Sequence, residues 1–161
     1  MSFVTVVTVV VFPLRVKKNM GCQPLLLLLF LCVCIQISSV GLTEAAAKEL
    51  HGDSAVGVAF QEMSHVDRAV CENETSGFIK VVYSTKNYHI LGATVMSPSA
   101  AELISEIGVA IQAKMPFDKL VTVVHSYPAY SIALQIMAGD IYYAKTLKMK
   151  PILNFLKRLG L

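Results

Sequence analysis

The stretch FIKVVYSTKNYHILGATVMSPSAAEL, residues 78–103, limits the fold more tightly than any other part of the chain. Two β-type runs, Phe78–Tyr83 and His89–Met96, flank Thr85-Lys86-Asn87, which marks a hairpin. Directly after it, Ser99-Ala-Ala-Glu102 has the spacing of a capping box, and the helix it opens places Leu103, Ile107 and Ile111 on one face. Lys114 suits the last turn of that helix and Pro116 ends it. A hairpin feeding an amphipathic helix has to bury one sheet face under helices. That excludes an all-helical bundle and a doubly wound parallel sheet.

The flanking segments extend the same plan. Thr43 caps a short helix, TEAAAKEL, which Gly52 terminates. Ala55–Phe60 is a further β-type run, and Ser64–Gly77 is polar and loop-like. The latter contains Asn73-Glu74-Thr75, a glycosylation triplet that reads as an exposed turn unless the chain is secreted. A helix is expected from about Ala129 to Leu147, followed by an amphipathic piece carrying Ile152, Phe155, Leu156 and Leu159. The fold class is therefore α+β: an antiparallel sheet of about four to five strands covered by helices, with a hydrophobic N-terminal extension. The chain divides into that extension at 1–37, a domain at 38–150 and a C-terminal amphipathic helix at 151–161.

The extension explains the composition. The 161 residues are 55% hydrophobic with a mean hydropathy of +0.60. No charge occurs from Asn19 to Thr43, and Leu25–Ile35 reads LLLLLFLCVCI behind Arg15, Lys17 and Lys18. That order resembles a signal peptide, and residues 24–40 are long enough for a marginal membrane anchor. The alternative is a front without a structural role of its own. The compartment stays open between membrane or secretory pathway and cytoplasm or organelle.

Other function classes fall away on residue type. The formal charge is only +3, and Lys145, Lys148, Lys150, Lys157 and Arg158 are spaced as on a solvated helix face, so nucleic acid is not an expected partner. Cys22, Cys32, Cys34 and Cys71 include no CxxC pair, and His51, His65, His89 and His125 are scattered, so no metal site is expected.

One segment is harder to account for by packing. HSYPAYSI, residues 125–132, crowds a histidine, two tyrosines and a proline into a rigid elbow. SVGLTE at 39–44, DRAV at 67–70, GFIKV at 77–81, ILGA at 90–93, AELISE at 101–106 and H-x-x-P at 125–128 occur in that order. Taken together they resemble the C-terminal dimerisation domain of the pyridine nucleotide–disulfide oxidoreductases, the family of dihydrolipoyl dehydrogenase, glutathione reductase and mercuric reductase. The resemblance covers about residues 38–150, which the chain joins abruptly at Ser38, as a truncated member would.

The resemblance implies a parent that passes electrons from NAD(P)H through FAD to a disulfide or related acceptor. It also implies a homodimer, or pairing with a full-length reductase subunit, with the elbow reaching the partner's active site. The family's elbow reads His-Pro-Thr-x-x-Glu. Here Tyr127 stands at the histidine position before Pro128, and Ile132 stands at the glutamate position. His125 lies two positions too early to be that base. Tyrosine at this place is similar to the mercuric-reductase-like branch, but no cysteine follows Cys71 to form that branch's paired-cysteine tail. No confident catalytic residue is expected, because an unperturbed tyrosine is a poor base near neutrality.

No G-x-G-x-x-G and no CxxxxC occur, so this chain alone is expected to bind neither FAD nor NAD(P). Tyr127, Pro128, Ile132, Ile136 and Met137 are the interface candidates. The resemblance further implies a cis bond before Pro128, with the Tyr127 hydroxyl near the dimer surface; the residues alone equally allow an ordinary trans turn with Tyr127 packed inside. A membrane-tethered interaction module reusing the fold is the alternative function.

Overall fold

The computed structural model describes the backbone of residues 6–11 and 35–158 and the side chains of residues 36–148. Five strands form one sheet: β1 (Val6–Val11), β2 (Ile35–Gly41), β3 (Val56–Glu62), β4 (Phe78–Ser84) and β5 (Ile90–Ser97). Their order is β1-β2-β5-β4-β3, and every neighbouring pair is antiparallel. Among the described residues four helices accompany them: α1 (Glu44–His51), α2 (Asp67–Cys71), α3 (Ala100–Gln112) and α4 (Ile132–Arg158).

The hairpin is built as its residues dictate. Ile79 opposes Val95 and Val81 opposes Ala93, so the apolar alternation of β4 and β5 meets pair by pair on the face under the helices. α3 crosses β2 and β5 and drives Leu103, Ile104 and Ile107 into that face. Leu134, Met137 and Ala138 of α4 complete the cluster together with Phe117 and Leu120 from the 3₁₀ turn Phe117–Thr122. The opposite face carries a smaller cluster in which Ala47 of α1 meets Val56 and Val82. At the rim of that face, Glu44 accepts hydrogen bonds from both Lys48 and Lys80, which hold its carboxyl down at about 2.

Two glycines set the close approach of β2 to β5. Gly41 (φ 72) faces Gly92 in register, and the Leu42 N–H donates to the Leu91 carbonyl at 2.9 Å. A Cβ on Gly41 would lie 2.4 Å from the Leu91 oxygen, and one on Gly92 would lie 2.0 Å from the Leu42 oxygen. The chain crosses there backbone on backbone.

The helix ends show where local rules hold and where they yield. Thr43 caps α1 as expected, its Oγ1 accepting from the Ala46 N–H at 3.2 Å, and Gly52 closes it at φ 86. Ser99 makes no capping bond, because its backbone (φ −111, ψ 33) lies outside the extended region a cap requires. Gln36 of β2 instead accepts from the Ala101 N–H at 3.2 Å, and Ser97 Oγ accepts from the Ser99 N–H at 3.2 Å. A neighbouring strand thus supplies what the capping box was expected to give.

Further differences from the sequence reading concern boundaries. The stretch 64–77 is not all loop: Met63–His65 is a 3₁₀ turn and α2 follows, with Met63, Val66 and Ala69 buried at three-residue spacing. The expected boundary at Ser38 falls inside β2, and β1 comes from the stretch assigned to the extension. The Leu25–Cys34 run lies outside the described residues, while Ile35–Val40 of the span 24–40 is strand rather than membrane helix. Among the described residues no helix is long and apolar enough to cross a membrane. α4 begins at Ile132 and continues past Pro151 to Arg158, although that proline removes one helical N–H. The pattern had suggested a separate helix beyond Lys150.

Candidate functional site

The elbow starts where the 3₁₀ turn lets go, at Val123, and ends at the first turn of α4. Three of its rings are tied to carboxylates from other elements. The His125 ring is nearly solvent-free, with Nε2 2.7 Å from Glu106 Oε1 on α3 and Nδ1 2.9 Å from the Val123 carbonyl. The Tyr127 hydroxyl donates to Asp67 Oδ2 at 2.9 Å, and the Tyr130 hydroxyl donates to Glu72 Oε2 at 2.7 Å. Asp67 opens α2 and Glu72 follows its last residue, so that short helix serves as a rack for the elbow. The Tyr127–Pro128 bond is cis, in line with the expectation.

The electrostatics follow from these contacts. Asp67 holds the Tyr127 phenol above the ordinary tyrosine value of 10.0, first by accepting its hydrogen bond and then by its charge. Burial, followed by the Glu72 bond, pushes the Tyr130 phenol up much further. Glu72 is lowered in turn, chiefly by the Tyr130 hydroxyl, with Arg68 at the adjacent turn adding to the effect. Both phenols are therefore protonated donors at neutral pH and neither is a general base. Between α2, α3 and the elbow lies a cleft of about 450 Å³ whose polar lining includes Arg68, Glu72, Glu102, Glu106 and Ser131. A hollow of about 50 Å³ lies on the other side of α2, lined by His65, Asp67, Tyr127, Ile132 and Ile136. Among the described residues no three His, Cys, Asp or Glu side chains are grouped to hold a metal ion.

The interface candidates separate by exposure. Tyr127 is 69% exposed, Pro128 is exposed, Ile136 is 50% exposed and Ile132 is half-buried. Met137 is 3% exposed and belongs to the core cluster. Beyond Ile136, Tyr143 and Leu147 also stand exposed on α4, and their spacing continues one stripe along the helix. Sequence reasoning missed Asp67, Glu72 and Glu106 as partners of the elbow. Two of them sit inside motifs already singled out, DRAV and AELISE, so the order of those motifs carried the signal without revealing the contact.

Comparison with known proteins fits this geometry. Residues 30–138 match the family described as pyridine nucleotide-disulphide oxidoreductase, dimerisation domain. Dihydrolipoyl dehydrogenase of Bacillus subtilis is 34% identical over 93 residues, covering 58% of this chain and 19% of that protein. Its counterpart in Synechocystis is 38% identical over 101 residues, covering 62% of this chain and 21% of that protein. The Cu(II) complex of the HOCl-induced flavoprotein disulfide reductase RclA from Escherichia coli superimposes with a TM-score of 0.62 at 25% identity, over 66% of this chain and 24% of that one. The chain thus spans about a fifth of the length of the curated relatives it matches. With an antiparallel sheet covered by helices and a family match over more than half its residues, the chain belongs to the dimerisation-domain family of the pyridine nucleotide–disulphide oxidoreductases.

Proposed function

We propose that this chain is a self-association module whose contact face combines the elbow with the exposed stripe of α4. The observation that carries this reading is the run of apolar and aromatic groups left open beside a rigidly tied loop: Tyr127, Ile136, Tyr143 and Leu147. Their rings and branches cost surface free energy while exposed, and an isologous pairing would bury them on both copies at once. The partner is a second copy, or a full-length reductase subunit carrying the same domain. In such a parent the activity would be electron transfer from NAD(P)H through FAD to a disulfide or related acceptor. This chain has no glycine-rich phosphate cradle and no CxxxxC of its own, so it contributes shape and contacts rather than the redox step.

Sedimentation velocity at tens of micromolar tests the reading. The expected species is twice the 17.5 kDa chain, and Ile136→Glu raises its dissociation constant by at least about tenfold. A single monomeric species from the unaltered protein overturns it.

A further inference from the structure

Of the three elbow ties, only the one at Tyr127 lies on the face offered to a second chain. His125 and Tyr130 are turned inward, whereas the Tyr127 ring is 69% exposed and still hydrogen-bonded. The bond joins groups 60 residues apart, so it belongs to the tertiary structure and is no local turn contact. Both ends are anchored. Asp67 begins α2, whose Ala69 is fully buried and which follows the buried Val66; Tyr127 is flanked by the tied rings of His125 and Tyr130.

A phenol has one proton to give and lone pairs to receive. We propose that Asp67 is the positioning residue of the elbow: by accepting the Tyr127 hydrogen bond it turns the phenol oxygen's lone pairs outward as an acceptor for a hydrogen-bond donor on the associating chain. The proposal rests on the self-association reading and names what that surface recognises. The matching group is a donor, such as a backbone N–H, an ammonium, a guanidinium or a thiol. A bare carboxylate or carbonyl gains nothing from the phenol, because the one proton of that hydroxyl is already committed to Asp67. The other groups near the phenol are His65 and Ile132 around the same hollow, with Gln61 from β3 and Ile136 from α4. Cys71 adds a small effect in the same direction as Asp67 on the phenol's titration.

The pair is tested by its spectroscopic signature. Tyrosinate difference absorbance of the wild type minus that of Tyr127→Phe isolates the titration of this phenol among six tyrosines. In an Asp67→Ala background the same difference is expected at lower pH, and Asp67→Glu is expected to restore the raised step. A step at the same pH with and without the carboxylate overturns the pairing, provided circular dichroism shows each variant folded. The acceptor role is read separately by sedimentation. Tyr127→Phe and Asp67→Ala should each raise the dimer dissociation constant several-fold, and values within about twofold of wild type overturn that role. If the unaltered protein sediments as a monomer, the self-association reading fails while the titration still decides whether Asp67 holds the phenol.

Discussion

The sheet core and the elbow sit a few residues apart in the chain and are held together by opposite kinds of force. The core is a set of apolar surfaces: Ile79 against Val95, Val81 against Ala93, with Leu103, Ile107 and Leu134 laid over them. Such contacts depend on volume and area and are indifferent to direction, so many sequences of the right pattern would make them. The elbow depends on named atoms. Each of its three rings meets a carboxylate from outside the elbow, two from the ends of α2 and one from α3, and moving any of those oxygens by an ångström would break the bond. Part of the molecule is therefore specified by pattern and part by placement, and the two should respond differently to mutation, acid and salt.

The largest test sits on the core side. Phe117 is fully buried and tilts against Tyr83, so Phe117→Ala should cost about 4 kcal/mol in urea denaturation with the acid dependence of stability unchanged. A markedly altered acid slope would show that the two regions are not separable. Next comes the one charged side chain that is fully buried among the described residues. The Asp118 carboxylate is solvent-free and meets Lys145 Nζ at 2.7 Å, beneath the Tyr88 ring on which that ammonium also lies at 4.4 Å. Lys145→Met leaves a buried charge unpaired and should cost about 3 kcal/mol, most of it recovered by adding Asp118→Asn. An additive double variant would break this account.

The smallest expected effect is on the elbow side. Tyr130→Phe removes one hydrogen bond to a charged acceptor and should cost about 1 kcal/mol. Its pH signature is the sharper readout. The Tyr130 hydroxyl and Arg68 hold Glu72 below its ordinary 4.5, so the folded carboxylate releases its proton more readily than the unfolded one. That contribution is complete above about 4.5 and is lost as the pH falls through the lower, folded value. In Tyr130→Phe the acid-side loss should be shallower, as measured by denaturation midpoints below pH 5.

The same division explains what the sequence let one read. The β4–β5 hairpin, the faces of α3 and the cap at Thr43 rest on local periodicity and residue type, which are visible in a single chain. The backbone of Ser99 is not the one a capping box needs, and Gln36, more than sixty residues away, supplies an acceptor in its place, a substitution that no local rule sees across a sheet. α2 was hidden because it buries only Ala69, and the buried Met63 and Val66 that precede it lie in the 3₁₀ turn and at the helix N-cap, scattered among polar residues. At the elbow the aromatic residues were conspicuous and their carboxylate partners were not. A hydrogen bond between residues 60 apart leaves no spacing to find.

The crossing of β2 over β5 has a consequence of another kind. Gly41 and Gly92 exclude any side chain because the atoms they would strike are the Leu91 and Leu42 backbones, which no replacement at a neighbouring position can shrink. Damage in the core can be repaired elsewhere, since a smaller side chain here makes room for a larger one there. At the crossing there is nothing to trade, so the two glycines pass together or not at all, a fixed point of inheritance inside a sheet that is otherwise free to drift.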